Sequence, residues 1–140
     1  MVDKRDFALV IPRDSGGLWM VEQYRYPIGA RTLEFPQGSW PAGKSGPLDE
    51  LARAELREET GLSAGRLTRL GRLHTAPGFC SQACDVYLAE DLNAGATDRE
   101  ATEQDMTHRL VPAAEFRALA ASGAITDSAT LAAYSLLLLA

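Results

Sequence analysis

The chain reads as one α+β domain, and three features predict it. Short apolar runs punctuated by proline and glycine recur at residues 7–11, 18–21 and 83–89, the pattern of strands in a sheet. Between them Leu48–Thr60 contains neither proline nor glycine and is rich in Ala, Leu, Glu and Arg, which predicts a helix. Two further alanine- and leucine-rich stretches close the chain. With 140 residues, 46% of them hydrophobic and 24% charged, one sizeable core can be buried and a disordered chain is excluded.

Taken in order, residues 7–11 (Phe-Ala-Leu-Val-Ile) form a core strand ended by Pro12, and Asp14-Ser-Gly-Gly17 turns the chain back into a second strand at 18–21. Residues 22–27 are polar and aromatic together; Arg25 reads there as a surface charge beside an aromatic ring. Residues 31–36 are the next strand. Glu34 alternates with Leu33 and Phe35, so it faces away from them, into solvent or a cleft. A glycine-proline loop follows. Pro47 suits the first turn of the helix, where its missing N–H costs nothing, and Gly61 suits its left-handed end. Residues 67–74 are a strand in which His74 is a lone structural or surface histidine, Thr75 to Phe79 a turn, and 83–89 another strand. Residues 91–104 are a polar loop with Asp91, Asp98, Glu100 and Glu103. After a strand at 108–111, a helix runs from Pro112 to about Ala121 and breaks at Gly123. The last helix, 129–139, has Asp127 or Ser128 to cap it, and its apolar surface must pack on the sheet or on a partner.

Within the first helix, Glu55, Glu58 and Glu59 fall inside an arc of roughly 100°. Leu48, Leu51 and Ala52 share part of that arc, while Arg53 and Arg57 point to the other side. Such like charges repel by a few tenths of a kcal/mol per exposed pair, and by more when buried. A glutamate-rich helix facing water is the bland alternative. A divalent cation would neutralise the cluster, and all-oxygen ligands suit Mg²⁺ or Mn²⁺, which in turn hold phosphates. The formal net charge of −5 disfavours non-specific nucleic-acid binding, although a bound cation reverses the sign of an acidic pocket locally. Cys80 and Cys84, the only cysteines, read as free thiols in a reducing cytoplasm. No signal peptide is expected, and the apolar run at 136–140 is too short to span a membrane.

The segment Ala54-Glu-Leu-Arg-Glu-Glu-Thr-Gly-Leu62, following Leu33-Glu-Phe-Pro-Gln-Gly38, closely resembles the signature of the Nudix hydrolase family, and the resemblance runs from about residue 5 to the C-terminus. It implies an α-β-α sandwich, with a central mixed sheet flanked by helices, in a single domain over 1–140. It also implies Mg²⁺, with Mn²⁺ as a substitute, on Glu55, Glu58 and Glu59, with Glu34 and the Gly38 carbonyl as further ligands and Glu58 and Glu59 serving catalysis. Two positions depart from the signature: Ala54 stands where the family has arginine, and Gly46 where it has an upstream acid.

Within the family, Gln23-Tyr-Arg25, the Pro77-Gly-Phe79 turn and the Gly123-x-Ile-x-Asp-Ser-x-Thr130 pattern resemble the branch of ADP-ribose pyrophosphatases and nucleoside diphosphate sugar hydrolases, although Ser81-Gln82 lacks that branch's acid. This implies hydrolysis of ADP-ribose or a related nucleoside diphosphate sugar to a nucleoside monophosphate and a sugar phosphate. Arg25, Glu34, Trp40 and Phe79 would meet substrate, and Glu103 or Asp105 would take a proton. Trp40 either stacks on a base or covers the core edge. The alternatives are nucleoside triphosphate or dinucleoside polyphosphate hydrolysis, or a weakly active nucleotide-binding module. The N-terminal strands common in that branch are expected to be missing, and a cytoplasmic homodimer with an unknown interface is expected.

Overall fold

The computed structural model describes residues 1–140. Its elements are β1 (Phe7–Asp14), β2 (Gly17–Arg25), β3 (Ala30–Glu34), β4 (Gln37–Gly38), α1 (Leu48–Thr60), β5 (Ser63–His74), β6 (Ala83–Asn93), β7 (Thr107–Val111), α2 (Ala113–Ala121) and α3 (Ser128–Leu139). The strands follow the order β3-β2-β1-β6-β5, with β4 added beside β1 and β7 beside β2. Only β1 and β6 are parallel, so the sheet is mixed.

Strand alternation divides the core between two faces. Phe7, Leu9 and Ile11 of β1, with Cys84, Val86 and Leu88 of β6, meet Phe116 of α2 and Ala129 and Ala133 of α3. Ala8 and Val10, with Tyr87 and Ala89, face the other way and pack under Leu51, Ala52 and Leu56 of α1. Small residues on that side let α1 lie close to the sheet. Each of its fully buried leucines contributes about 2 kcal/mol of apolar burial.

Several strands outrun their apolar runs. Pro12 ends the pairing of β1 with β6 rather than the strand itself: Arg13 and Asp14 change partner and pair with Leu18 and Gly17 of β2. Likewise β2 continues through the polar Glu22, Gln23 and Tyr24 because each has a partner on β3. Backbone pairing does not depend on side-chain polarity, so the apolar run underestimates strand length. Helix α1 begins and ends at the expected residues, with Pro47 as N-cap and Gly61 at φ 75° donating its N–H to the Arg57 carbonyl. No helix is long and apolar enough to cross a membrane.

Candidate metal-dependent site

A polar cavity of about 990 Å³ opens where β2, β4, α1 and the start of α3 meet the strap of residues 94–106 that joins β6 to β7. Tyr24, Arg25, Gly38, Glu55, Glu103 and Asp105 are among its walls. Burial of the Leu51–Ala52–Leu56 stripe fixes the rotation of α1, and the same rotation turns Glu55 and Glu59 inward, leaving them 6% and 1% exposed.

The two carboxyls lie side by side. Burial pushes Glu55 up to about 7, and burial with the Glu55 charge holds Glu59 well above the usual carboxylate range. Both Glu59 oxygens are buried without a hydrogen-bond partner. Neither these glutamates nor Glu58 takes part in any of the molecule's ion pairs. Glu58 is half-buried and faces the acidic Glu100 and Asp98, which with burial raise its pKa. A Cβ at position 38 would sit 2.5 Å from Glu55 Oε1, so the glycine is what admits the carboxylate.

Orphaned buried oxygens, an all-carboxylate donor set and a glycine cradle fit a hard divalent cation. No group of three or more His, Cys, Asp or Glu side chains is drawn into a finished ligand cluster. The pair that would receive the ion is Glu55 and Glu59, with Glu58 and Glu103 next to it. Glu103 sits on a short 3-10 turn, Ala101–Glu103, held by a reciprocal cap with Glu100, and burial raises its pKa.

Other residues are placed differently from the expectation. Glu34, expected as a further ligand and substrate contact, is 1% exposed and already engaged. Arg25 grips it with Nε and one Nη, at 2.9 and 2.6 Å, and the Thr32 hydroxyl donates to it as well. Arg25 therefore meets a structural carboxylate, and its other Nη has no protein partner. Asp105 lines the cavity but is paired with Arg31 at 3.0 Å, so Glu103 is the freer carboxylate. Of the two roles expected for Trp40, its contacts are those of a cover for the core edge. Its indole N–H donates to the Gly46 carbonyl at 3.1 Å and its ring packs against the core beneath α1, outside the cavity wall. Phe79 also stands outside that wall, 62% exposed. Gly38, expected to lend its carbonyl to the metal, lies on the wall. Arg99 went unnoticed in the sequence: a single arginine in a polar loop carries no local signal, and only its contacts give it a role.

Comparison with known proteins agrees with this geometry. Over 126 residues the chain is 39% identical to an ADP-ribose pyrophosphatase of Mycobacterium tuberculosis (strain ATCC 25618 / H37Rv), covering 89% of this chain and 60% of that protein. It is 35% identical over 98 residues to an ADP-ribose pyrophosphatase of Bacillus subtilis (strain 168), covering 70% of this chain and 52% of that one. It thus spans between half and two thirds of the length of these relatives. A crystal structure of an ADP compounds hydrolase superposes with a TM-score of 0.82 at 23% identity, over 94% of this chain and 70% of the other, which shows the fold. The NUDIX domain family matches residues 3–133, which hold the whole sheet, α1, α2 and the first half of α3, and the chain belongs to that family.

Proposed function

We propose that this chain hydrolyses the pyrophosphate bond of a nucleoside diphosphate joined to another moiety, with ADP-ribose or a related nucleoside diphosphate sugar as substrate and Mg²⁺ as the metal. The observation that carries the reading is the buried Glu55–Glu59 pair, with both Glu59 oxygens unpartnered and Glu55 on the wall of a polar cavity. It is supported among relatives by the two ADP-ribose pyrophosphatases and, at 31% identity over 63% of this chain, an ADP compounds hydrolase NudE of Escherichia coli (strain K12).

In this reading Glu55 and Glu59 hold the metal, with Glu58 beside them. A bound divalent ion supplies charge neutralisation for the pyrophosphate and lowers the pKa of water. Water attacks one phosphorus, the P–O bond to the bridging oxygen breaks, and the two products leave as a nucleoside monophosphate and the phosphorylated sugar. Glu103 accepts the proton of the attacking water; it is close to Glu59 and, unlike Asp105, has no arginine partner. The unpartnered Nη of Arg25 donates to a substrate phosphate while the rest of the guanidinium stays on Glu34. The same proposal includes a cytoplasmic homodimer, whose mass light scattering measures directly.

Product release is the test, measured over nucleoside diphosphate sugars, nucleoside triphosphates and dinucleoside polyphosphates with Mg²⁺, with Mn²⁺ and with chelator. Metal-dependent cleavage of ADP-ribose is the expected result. Preferred cleavage of a triphosphate would keep the chemistry and refute the substrate. Silence across the panel from a folded, metal-binding protein would refute hydrolysis and favour the nucleotide-binding alternative.

A further inference from the structure

The end of α1 carries Glu58 and Glu59, and its last carbonyls have no partners within the helix. Three of them, on Arg57, Glu58 and Glu59, are nonetheless satisfied. Arg57 O accepts the Gly61 N–H at 2.9 Å. The other two bonds come from the strap. Asp98 N–H donates to Glu58 O at 2.9 Å, and Arg99 donates to Glu59 O through Nε at 3.2 Å and Nη2 at 2.9 Å.

Arg99 does more than cap. Its Nη2 also donates to His108 Nδ1 at 2.8 Å, and that ring leans on Trp19 with centroids 5.8 Å apart. One half-buried guanidinium therefore ties together α1, the strap and β7, and through Trp19 it leans on β2. Just beyond it the strap folds back on itself: the Gln104 amide donates to the Arg99 and Glu100 carbonyls at 3.0 Å each, and this short loop delivers Glu103 to Glu59. A positive group at a helix C-terminus is also favoured by the helix dipole. Lysine could meet one carbonyl but not the carbonyl and the imidazole in one plane; the rigid fork of arginine does both.

We infer that Arg99 is a positioning residue that sets the separation between the α1 carboxylates and the strap carboxylate Glu103. It touches neither the metal nor the substrate. It holds the backbone of Glu59 and the base of the loop bearing Glu103, so that both sides of the reacting centre share one anchor. Only the kinetic arm of this inference rests on the pyrophosphatase reading.

The experiment compares the full chain with R99A and R99K. It measures melting temperature, amide hydrogen exchange over residues 57–62 and 97–106, Mn²⁺ affinity by electron paramagnetic resonance, and kcat and KM for ADP-ribose with Mg²⁺. In R99A exchange should speed up in both segments together, Mn²⁺ binding should weaken, and kcat should fall about 10- to 100-fold with KM changed less than about threefold. R99K, keeping a donor for the carbonyl, should lie between R99A and the parent. If R99A fails to fold, R99K carries the same comparison. An unchanged Mn²⁺ affinity and kcat would overturn the inference, as would a loss that merely tracks the unfolded fraction. A parent protein without turnover would refute the proposed reaction, and Mn²⁺ affinity with hydrogen exchange would then decide the role of Arg99 alone.

Discussion

Glu34 and Glu59 are equally buried, at 1% exposure each, and Arg25 feels the charge of both. Their surroundings are opposite. Glu34 accepts from an arginine fork and a threonine hydroxyl, whereas neither Glu59 oxygen has a donor. A carboxylate taken out of water costs several kcal/mol unless it is paired, so Glu34 is a completed structural unit and Glu59 an unfinished one. The partner that would finish Glu59 comes from outside the chain. The two carboxylates therefore differ in need: Glu34 is satisfied within the chain and Glu59 is not.

Replacing the unfinished carboxylate should have the largest effect. E59Q should lower metal-dependent turnover by on the order of 10²- to 10³-fold while leaving the melting temperature equal to or above that of the parent, since a buried like charge is removed. Steady-state kinetics beside calorimetry checks both halves; undiminished turnover would mean that Glu59 holds no metal.

Replacing the partner of the finished one should act on the fold as well as on any phosphate contact. R25M leaves Glu34 buried without its arginine and should cost about 2 kcal/mol in urea unfolding, reduced from the fully buried case because Arg25 is 42% exposed at its side chain. A stability loss in E59Q larger than that in R25M would reverse the comparison.

A gentler probe is pH. Glu55 in the folded chain titrates at about 7 against an ordinary 4.5, and Glu59 is shifted in the same direction. Folding therefore favours their protonated forms. That contribution is fully present below about 4.5 and is lost as pH rises through about 7. The metal-free protein should melt progressively lower between pH 5 and 8, by roughly 3 °C for each kcal/mol lost, and Mg²⁺ should restore the loss at pH 8. A flat profile without metal would show that water reaches the pair.

The smallest effects are expected outside the cavity. W40F removes the bond to the Gly46 carbonyl and should cost about 1 kcal/mol or less with KM unchanged, and F79A should alter neither stability nor KM. A raised KM in either would return these rings to the substrate.

Much of the site was legible because it lies on one helix. The spacing of Glu55, Glu58 and Glu59 and the punctuation by Pro47 and Gly61 are local facts, and helix geometry turns them into a shared face without further information. What spacing could not say is how differently the three are used. Glu55 and Glu59 face inward as a pair, and Glu58 turns toward Asp98 and Glu100. Likewise, alternation on β3 showed that Glu34 leaves the apolar side of the strand, but not that Arg25 from β2 waits there. That depends on the register Val21↔Glu34, which is a property of two strands.

The sequence by itself determined the helix and its limits, the strand centres, the acid patch and the family signature, because each depends on residues within one or two turns or on alternation along one strand. Tertiary structure alone decided which glutamate is satisfied and which is orphaned, that Trp40 covers the core, and that Arg99 anchors the end of α1. Those outcomes are set by contacts between different elements, from six to forty residues apart, brought together by burial of two apolar faces on one sheet, and no local pattern encodes the partner of a side chain.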